Sequence, residues 1–472
     1  MAEITLAKGT NPYAVEKFIL DCEKYGTHIH SMQIIKGSEP LLRMCFEPYG
    51  FDDRMHIYSL SKSFVSVAVG ICIDEGLLSL DERMTELFPE YMPENISENL
   101  RKLTLSDLLS MQSGHKACAL DKMKNAENSI KAFFDSPFEN EPGTTFVYST
   151  GASCVCAAAV ERATGRKIVD FLYEKLFEPL DIEKPVWAEC DDGQTVGGAG
   201  LYVSSNDVTK FGMMLKNKGV YNGKRIVSAE YLKNATSRHS VDKDNGAPDW
   251  TAGYGYQFWM NSRGGFRGDG AFGQYCLVFP EKDVLVTLLC ESADMPKEFE
   301  LIYDLLDGIE SDISSDMGYL LTAHKTLYAT KPYEGEEKDV TFDVKENVCS
   351  VNSVRLYGNK VLHAVLSTDY GEKEIACGNG TYIGNRVLLK GFSPTIGLLD
   401  PDYGRVEQVN VFAAFEIEDG GKIVITLRHI DTPHCQKWTF DTKAGKWTVF
   451  TLTGDIPCRE FDISKRKEEE NA

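Results

Sequence analysis

The sequence predicts a mixed α/β (α+β) protein. An antiparallel sheet flanked by helices, with an added helical region, is followed by a C-terminal antiparallel β-barrel or sandwich. Three observations predict this. Strand-patterned segments stand at both ends of the first 310 residues. The middle, Ser59 to about Leu232, is mostly helix-period apolar runs and loops. The last third changes to short alternating runs separated by turns. The expected organisation is a first domain over 1–310, a polar linker over 311–338 and a β-rich domain over 339–472.

Asn11 to Tyr25 reads as an opening helix, with Asn11 as N-cap and Pro12 at its first position, where the missing N–H costs nothing. Ile29–Ile35 and Leu41–Glu47 read as a hairpin around Lys36-Gly37-Ser38-Glu39-Pro40. Val65 to Gly76 continues as an apolar, helix-patterned run, and Ser153 to Thr164 as another. From Gly253 to Glu291 the strand pattern returns, with two strands meeting at Pro280-Glu281-Lys282-Asp283. Glu298 to Ile309 reads as a closing helix. Strands from both ends with helices between them imply one sheet built from both termini of the domain, and a cleft where the helical region meets it. Beyond the linker, Val340–Val344, Ser353–Tyr357, Ile423–Leu427 and Lys446–Phe450 alternate with a period of two.

The chemistry concentrates in Tyr58-Ser59-Leu60-Ser61-Lys62. Residues three apart share a helix face, so Ser59 and Lys62 stand side by side at a helix N-terminus. Unpaired N–H groups and the positive dipole end favour negative charge there. A serine hydroxyl needs a base to become a nucleophile, and a lysine serves when burial holds it neutral. A lone Ser-x-x-Lys step is also common by chance, with Ser59 a helix cap and Lys62 a solvated residue. Downstream features add weight. Pro142-Gly143-Thr144 marks a turn before Tyr148, and glycines at Gly268 and Gly270 precede a strand, where a backbone can approach a bulky neighbour closely.

On these residues the chain resembles the serine β-lactamase and penicillin-binding-protein superfamily, on its class C β-lactamase, esterase and D-aminopeptidase branch. The resemblance covers roughly residues 12–310. Its landmarks are Ser59-Leu60-Ser61-Lys62, Glu75-Gly76-Leu77-Leu78-Ser79-Leu80-Asp81, Leu103 to His115, Pro142-Gly143-Thr144 before Tyr148, Gly197 to Leu201 and Gly223 to Ser228. It implies a β-lactamase-like catalytic domain and a serine hydrolase of the esterase, amidase or D-peptidase type. Ser59 is then the acylated nucleophile, Lys62 its base partner, and Tyr148 the tyrosine that carries a proton in acylation and deacylation. The Ser59 N–H and one N–H from Gly268 to Ala271 form the oxyanion hole. Thr150 stands where the family has asparagine, and the family's Lys-Thr-Gly is replaced by Gly265 to Gly270. Thr150, Gly268 and Asp269 are the expected substrate contacts. Without the motif lysine, the resemblance favours an ester or simple amide over a β-lactam, with Arg267 as the one replacement cation in sight.

Composition fits an ordinary soluble enzyme. The formal net charge of −21, without a basic run outside Lys465-Arg466-Lys467, argues against nucleic acid. The 13 cysteines lack metal-site spacing, so no metal and no cofactor is expected. Met1 to Thr5 lacks signal-peptide character, and the apolar run Val65 to Ile73 is too short to span a membrane. A cytoplasmic protein acting on a small-molecule or short-peptide substrate is the expectation, and the sequence does not fix an oligomeric state. His56 and His115 read as structural.

Two rivals belong to other classes. A non-catalytic binder or sensor of the same fold would normally lose Ser59, Lys62 or Tyr148. A carbohydrate- or peptide-binding protein would use the C-terminal region, with Trp438 and Trp447 as exposed aromatics, though core packing explains two strand tryptophans equally well.

Overall fold

The computed structural model describes residues 3–124, 126–310, 330–392, 406–418, 420–453 and 458–466. Most of the expected linker, 311–329, lies outside them.

The N-terminal region is built on a seven-stranded antiparallel sheet. Its strands are β1 (Glu3–Leu6), β2 (His28–Lys36), β3 (Glu39–Cys45), β4 (Trp259–Met260), β5 (Phe266–Gly270), β6 (Gln274–Phe279) and β7 (Val284–Glu291), in spatial order β1-β3-β2-β7-β6-β5-β4. The first three come from the start of the region and the last four from its end, as the pattern predicts. The seam is β2 against β7, where Ile34 faces Val286 and Met32 faces Leu288. The edge strand β1 was not expected. Four residues of mixed exposure carry little periodic signal.

One sheet face packs on α1 (Pro12–Lys24) and the closing helix Met295–Gly308, burying Val15, Phe18, Tyr275, Leu277, Phe299 and Ile302. Asn11 caps α1 by accepting the Tyr13 N–H at 3.1 Å. The other face meets α2 (Ser61–Asp74), α3 (Thr150–Thr164) and α4 (Ser205–Lys216). Helix α2 is buried from Ser61 to Cys72. A helix apolar on all sides has to be central, which explains its missing amphipathic stripe.

In the C-terminal region, nine strands among the described residues close into a barrel. Neighbours pair antiparallel, and closure comes from Gly371–Asn379 running parallel to the end of Val406–Ile417, with Gly378 opposite Ala414. Ile383–Lys390 adds a further strand along Val406–Ile417. Strand Val361–Thr368 alternates strictly between interior and exterior. Trp438 and Trp447 are fully buried in the barrel core. They stand 5.4 Å apart, with Phe440 stacked on Trp447 at 5.3 Å. Of the two readings the sequence leaves open for them, core packing is the one observed, because they are the barrel's filling.

Candidate functional site

The site begins with a short 3-10 turn, Tyr58–Leu60, that leads directly into α2. Tyr58 has φ +48°, left-handed territory that L-residues with side chains avoid. Ser61 Oγ donates to the Tyr58 carbonyl at 2.6 Å, holding the turn against the helix start. Tyr58, Leu60, Ser61 and Lys62 are buried, while Ser59 alone in this run keeps partial exposure.

The Lys62 ammonium donates to Ser59 Oγ at 2.9 Å, to Thr150 Oγ1 at 3.3 Å and to the Gly198 carbonyl at 2.6 Å. Burial drives its pKa down from the usual lysine range to about 8. At neutral pH roughly a tenth of such a lysine is the free amine. In that form its two N–H groups suit Gly198 and Thr150, and its lone pair faces the Ser59 hydroxyl. The approach of Gly198 depends on missing side chains. A Cβ on Gly198 would sit 2.5 Å from Thr150 Cγ2, and one on Gly197 would sit 2.4 Å from the Ser153 carbonyl.

Tyr148 is placed by a laced loop. Gly143 and Val147 donate N–H groups to Gln112 and Met111 carbonyls at 2.9 and 2.8 Å. Ser149 then caps α3 through the Ala152 N–H. The Tyr148 hydroxyl lies within interaction range of Ser59, and burial pushes this phenol well above the ordinary tyrosine range. It is therefore a protonated donor at neutral pH. Its ring stacks on Trp259 at 5.6 Å, with Lys62 Nζ 4.9 Å from the ring centre on its face.

Strand β5 lies directly on the turn that carries Ser59. A Cβ on Gly268 would stand 2.3 Å from Leu60 Cδ1, and one on Gly270 would stand 2.2 Å from the Ile57 carbonyl oxygen. Side chains of Arg267 and Asp269 go to the opposite face. Their cross-strand partners are Leu277 and Tyr275, which pack under the closing helix. Arg267 is fully buried. It donates to Asp269 at 2.8 Å and to the Asp249 and Met260 carbonyls, against the rings of Trp250 and Phe299. The structure thus brings Ser59, Lys62, Tyr148 and Thr150 together with the Gly268 backbone. The Asp269 carboxylate and Arg267 guanidinium pair with each other, and Arg267 lies 5.7 Å from the Trp259 ring that stacks on Tyr148.

The two histidines near the motifs are structural in their contacts. His56 Nε2 accepts the Gly200 N–H at 2.8 Å, and burial lowers its pKa to about 3. His115 bonds Ser113 at 3.0 Å and the Phe133 carbonyl at 3.3 Å, and burial lowers its pKa to about 4.

Sequence reasoning missed three participants. Gly198 supplies an acceptor through its carbonyl, which no residue type announces. Gln257, at φ +61°, ties the site's helices together. It accepts from Ser153 Oγ at 2.6 Å, donates to the Leu109 carbonyl at 3.0 Å, and offers its own carbonyl to Ser63 Oγ at 2.9 Å. The third is His434 from the barrel, whose Nε2 lies 2.5 Å from Tyr58 Oη.

Among the described residues no cluster of His, Cys, Asp and Glu is suited to a metal, and no helix is long and apolar enough to cross a membrane.

Residues 31–308 match the family model described as Beta-lactamase. The 6-aminohexanoate-dimer hydrolase of Paenarthrobacter ureafaciens is 25% identical over 302 residues, covering 60% of this chain and 76% of that protein. The lovastatin esterase of Penicillium rubens is 28% identical over 170 residues, 31% of this chain and 42% of the esterase. In fold, the octameric penicillin-binding protein homologue of Pyrococcus abyssi superposes with a TM-score of 0.50 at 17% identity. That match covers 88% of this chain and 98% of the homologue.

Proposed function

Because the chain belongs to the β-lactamase family, we propose that it is a serine hydrolase that cleaves an ester or amide through a Ser59 acyl-enzyme. The observation that carries this reading is the Lys62 amine, 2.9 Å from Ser59 Oγ, with its pKa lowered by burial to about 8. Lys62 takes the Ser59 proton as Oγ attacks the carbonyl carbon. The neutral Tyr148 phenol gives its proton to the leaving oxygen or nitrogen, and Lys62 returns a proton to Tyr148. Water then repeats the sequence in reverse and frees the acid. The Ser59 N–H and an N–H of Gly268 to Ala271 are the proposed donors to the oxyanion. The hydrolase and esterase among the relatives support this class.

The proposed substrate is a small molecule or short peptide without an obligatory carboxylate, because the burial of Arg267 leaves no cation of β5 to receive one. Fluorophosphonate treatment followed by mass spectrometry tests the mechanism. One adduct on the peptide bearing Ser59 is expected, together with loss of activity in Ser59→Ala. An unmodified Ser59 with activity intact in Ser59→Ala would overturn it.

A further inference from the structure

Among the described residues, one hairpin turn of the barrel meets the residues beside Ser59. Strands Ile423–His429 and Cys435–Asp441 are joined by residues 430–434. This turn is rigidly held, since the His429 N–H bonds the His434 carbonyl at 3.1 Å and Asn410 Nδ2 bonds Asp431 at 3.0 Å. From it the Asp431 carbonyl accepts the His56 N–H at 2.9 Å, and His434 meets Tyr58.

His434 touches both walls of the proposed oxyanion hole. On one side is Tyr58, the residue before Ser59. On the other is Phe272, just past β5, whose ring lies 4.8 Å from His434 and 5.1 Å from Tyr58. Tyr58 and Phe272 are both non-glycine residues at positive φ, +48° and +65°. Such conformations persist only where the surroundings hold them.

The hydrogen-bond directions behind His434 are fixed by counting donors. Thr453 Oγ1 donates to Glu291 Oε1 at 2.8 Å, so it accepts from His434 Nδ1, also at 2.8 Å. With a proton on Nδ1, His434 sets its Nε2 against the Tyr58 hydroxyl. The chain therefore runs from Tyr58 to His434 to Thr453, and ends on the buried Glu291 carboxylate of β7. That carboxylate also accepts the Cys435 N–H at 3.0 Å. Both ends of the chain are anchored in the N-terminal region, and its centre belongs to the barrel.

We propose that His434 is a positioning residue for the reaction, supplied by the C-terminal barrel. By hydrogen-bonding the Tyr58 hydroxyl and wedging against Phe272, it holds the Ser59 backbone N–H and the end of β5 at the spacing the acyl transfer needs. This rests on the Ser59 acyl-enzyme reading above. Barrel and N-terminal region form one catalytic unit, with the barrel acting on the rate and not on substrate affinity.

The test uses the full-length chain and three variants, Tyr58→Phe, His434→Ala and the double variant. Each is measured for kcat, KM, the rate of fluorophosphonate labelling, and Tm. Tyr58→Phe deletes one hydroxyl and is the variant certain to keep its core volume. The expected result is a roughly tenfold fall in kcat and in labelling rate for each single variant, KM within twofold of wild type, and a double variant no worse than the poorer single one. Kcat and labelling rate within twofold of wild type in Tyr58→Phe would overturn the proposal. So would a loss confined to KM, or multiplicative losses in the double variant. Failure of the underlying mechanism is distinguishable, because wild-type protein would then carry no adduct on Ser59.

Discussion

Arg267 and Asp269, two residues apart on β5, form an ion pair at 2.8 Å on the face of the sheet turned away from Ser59. Both side chains are almost fully buried, and the guanidinium lies against the rings of Trp250 and Phe299. A strand that could have offered a cation to the cleft instead presents two glycines to the nucleophile turn.

That arrangement predicts substrate choice. An anion moved out of water without a counter-charge or strong hydrogen bonds is costly to bind. A short-chain p-nitrophenyl ester should therefore give a higher kcat/KM than nitrocefin. A nitrocefin value equal to or above the ester value would show that another group receives the carboxylate.

The same pair predicts a stability effect. Arg267→Met leaves the Asp269 carboxylate buried without its partner. Breaking such pairs costs about 3–5 kcal/mol. Urea unfolding should show a loss of that order, and the double variant Arg267→Met/Asp269→Leu should recover much of it.

The two β5 glycines should differ. A methyl group at Gly268 meets only side-chain atoms, of Leu60 and Ser63, among its nearest neighbours. At Gly270 it meets the Ile57 backbone oxygen, which cannot yield without moving the nucleophile turn. Gly270→Ala should lower kcat by about tenfold or more and cost about 1–3 kcal/mol of stability, the usual range for overpacking. Gly268→Ala should be milder on both measures.

Lys62→Ala and Tyr148→Phe should each lower turnover by about 100-fold or more, the scale of losing an acid–base partner. Lys62 bonds Ser59 and sits over the Tyr148 ring, so the losses should be strongly non-additive. A double variant showing the product of the single losses would mean the two act independently.

Lys62 also predicts opposite responses of activity and stability. Only its neutral form takes a proton, so kcat/KM should rise with pH up to about 8 and then level off. Its folded pKa lies below its unfolded value near 10.5, so the unfolded chain binds more protons between those values. The stability contribution of this group therefore increases as pH rises from about 8 to 10.5, and is at its least favourable below 8. Lys62→Met should accordingly abolish turnover yet stabilise the protein at pH 7, by on the order of 1–3 kcal/mol. Thermal melts at pH 7 and pH 10 would check the sign.

Local rules made much of this legible in the sequence. Asn11-Pro12 announced the start of α1, and period-two runs announced the sheet seam and the barrel strands. The three-residue spacing of Ser59 and Lys62 set them on one face, and Pro142-Gly143 announced the turn before Tyr148. What stayed hidden depends on partners distant in the chain. The pattern of β5 does not say which side of the strand faces α2. The register of Gly268 on Cys276 decides that, and with it the fate of Arg267. Trp438 and Trp447 look the same whether they line a surface or fill a barrel. No local signal links His434 to Tyr58, 376 residues away.

The seam between β2 and β7 has a consequence for how the chain is made. Its two strands are separated by about 250 residues, so at ordinary synthesis speeds the first waits roughly ten to fifty seconds for the second. During that interval α2, buried in the fold from Ser61 to Cys72, has already left the ribosome without the sheet it packs on. Nascent chains stalled before residue 284 should therefore be held by chaperones and sensitive to protease, and protection should appear in one step once β7 emerges.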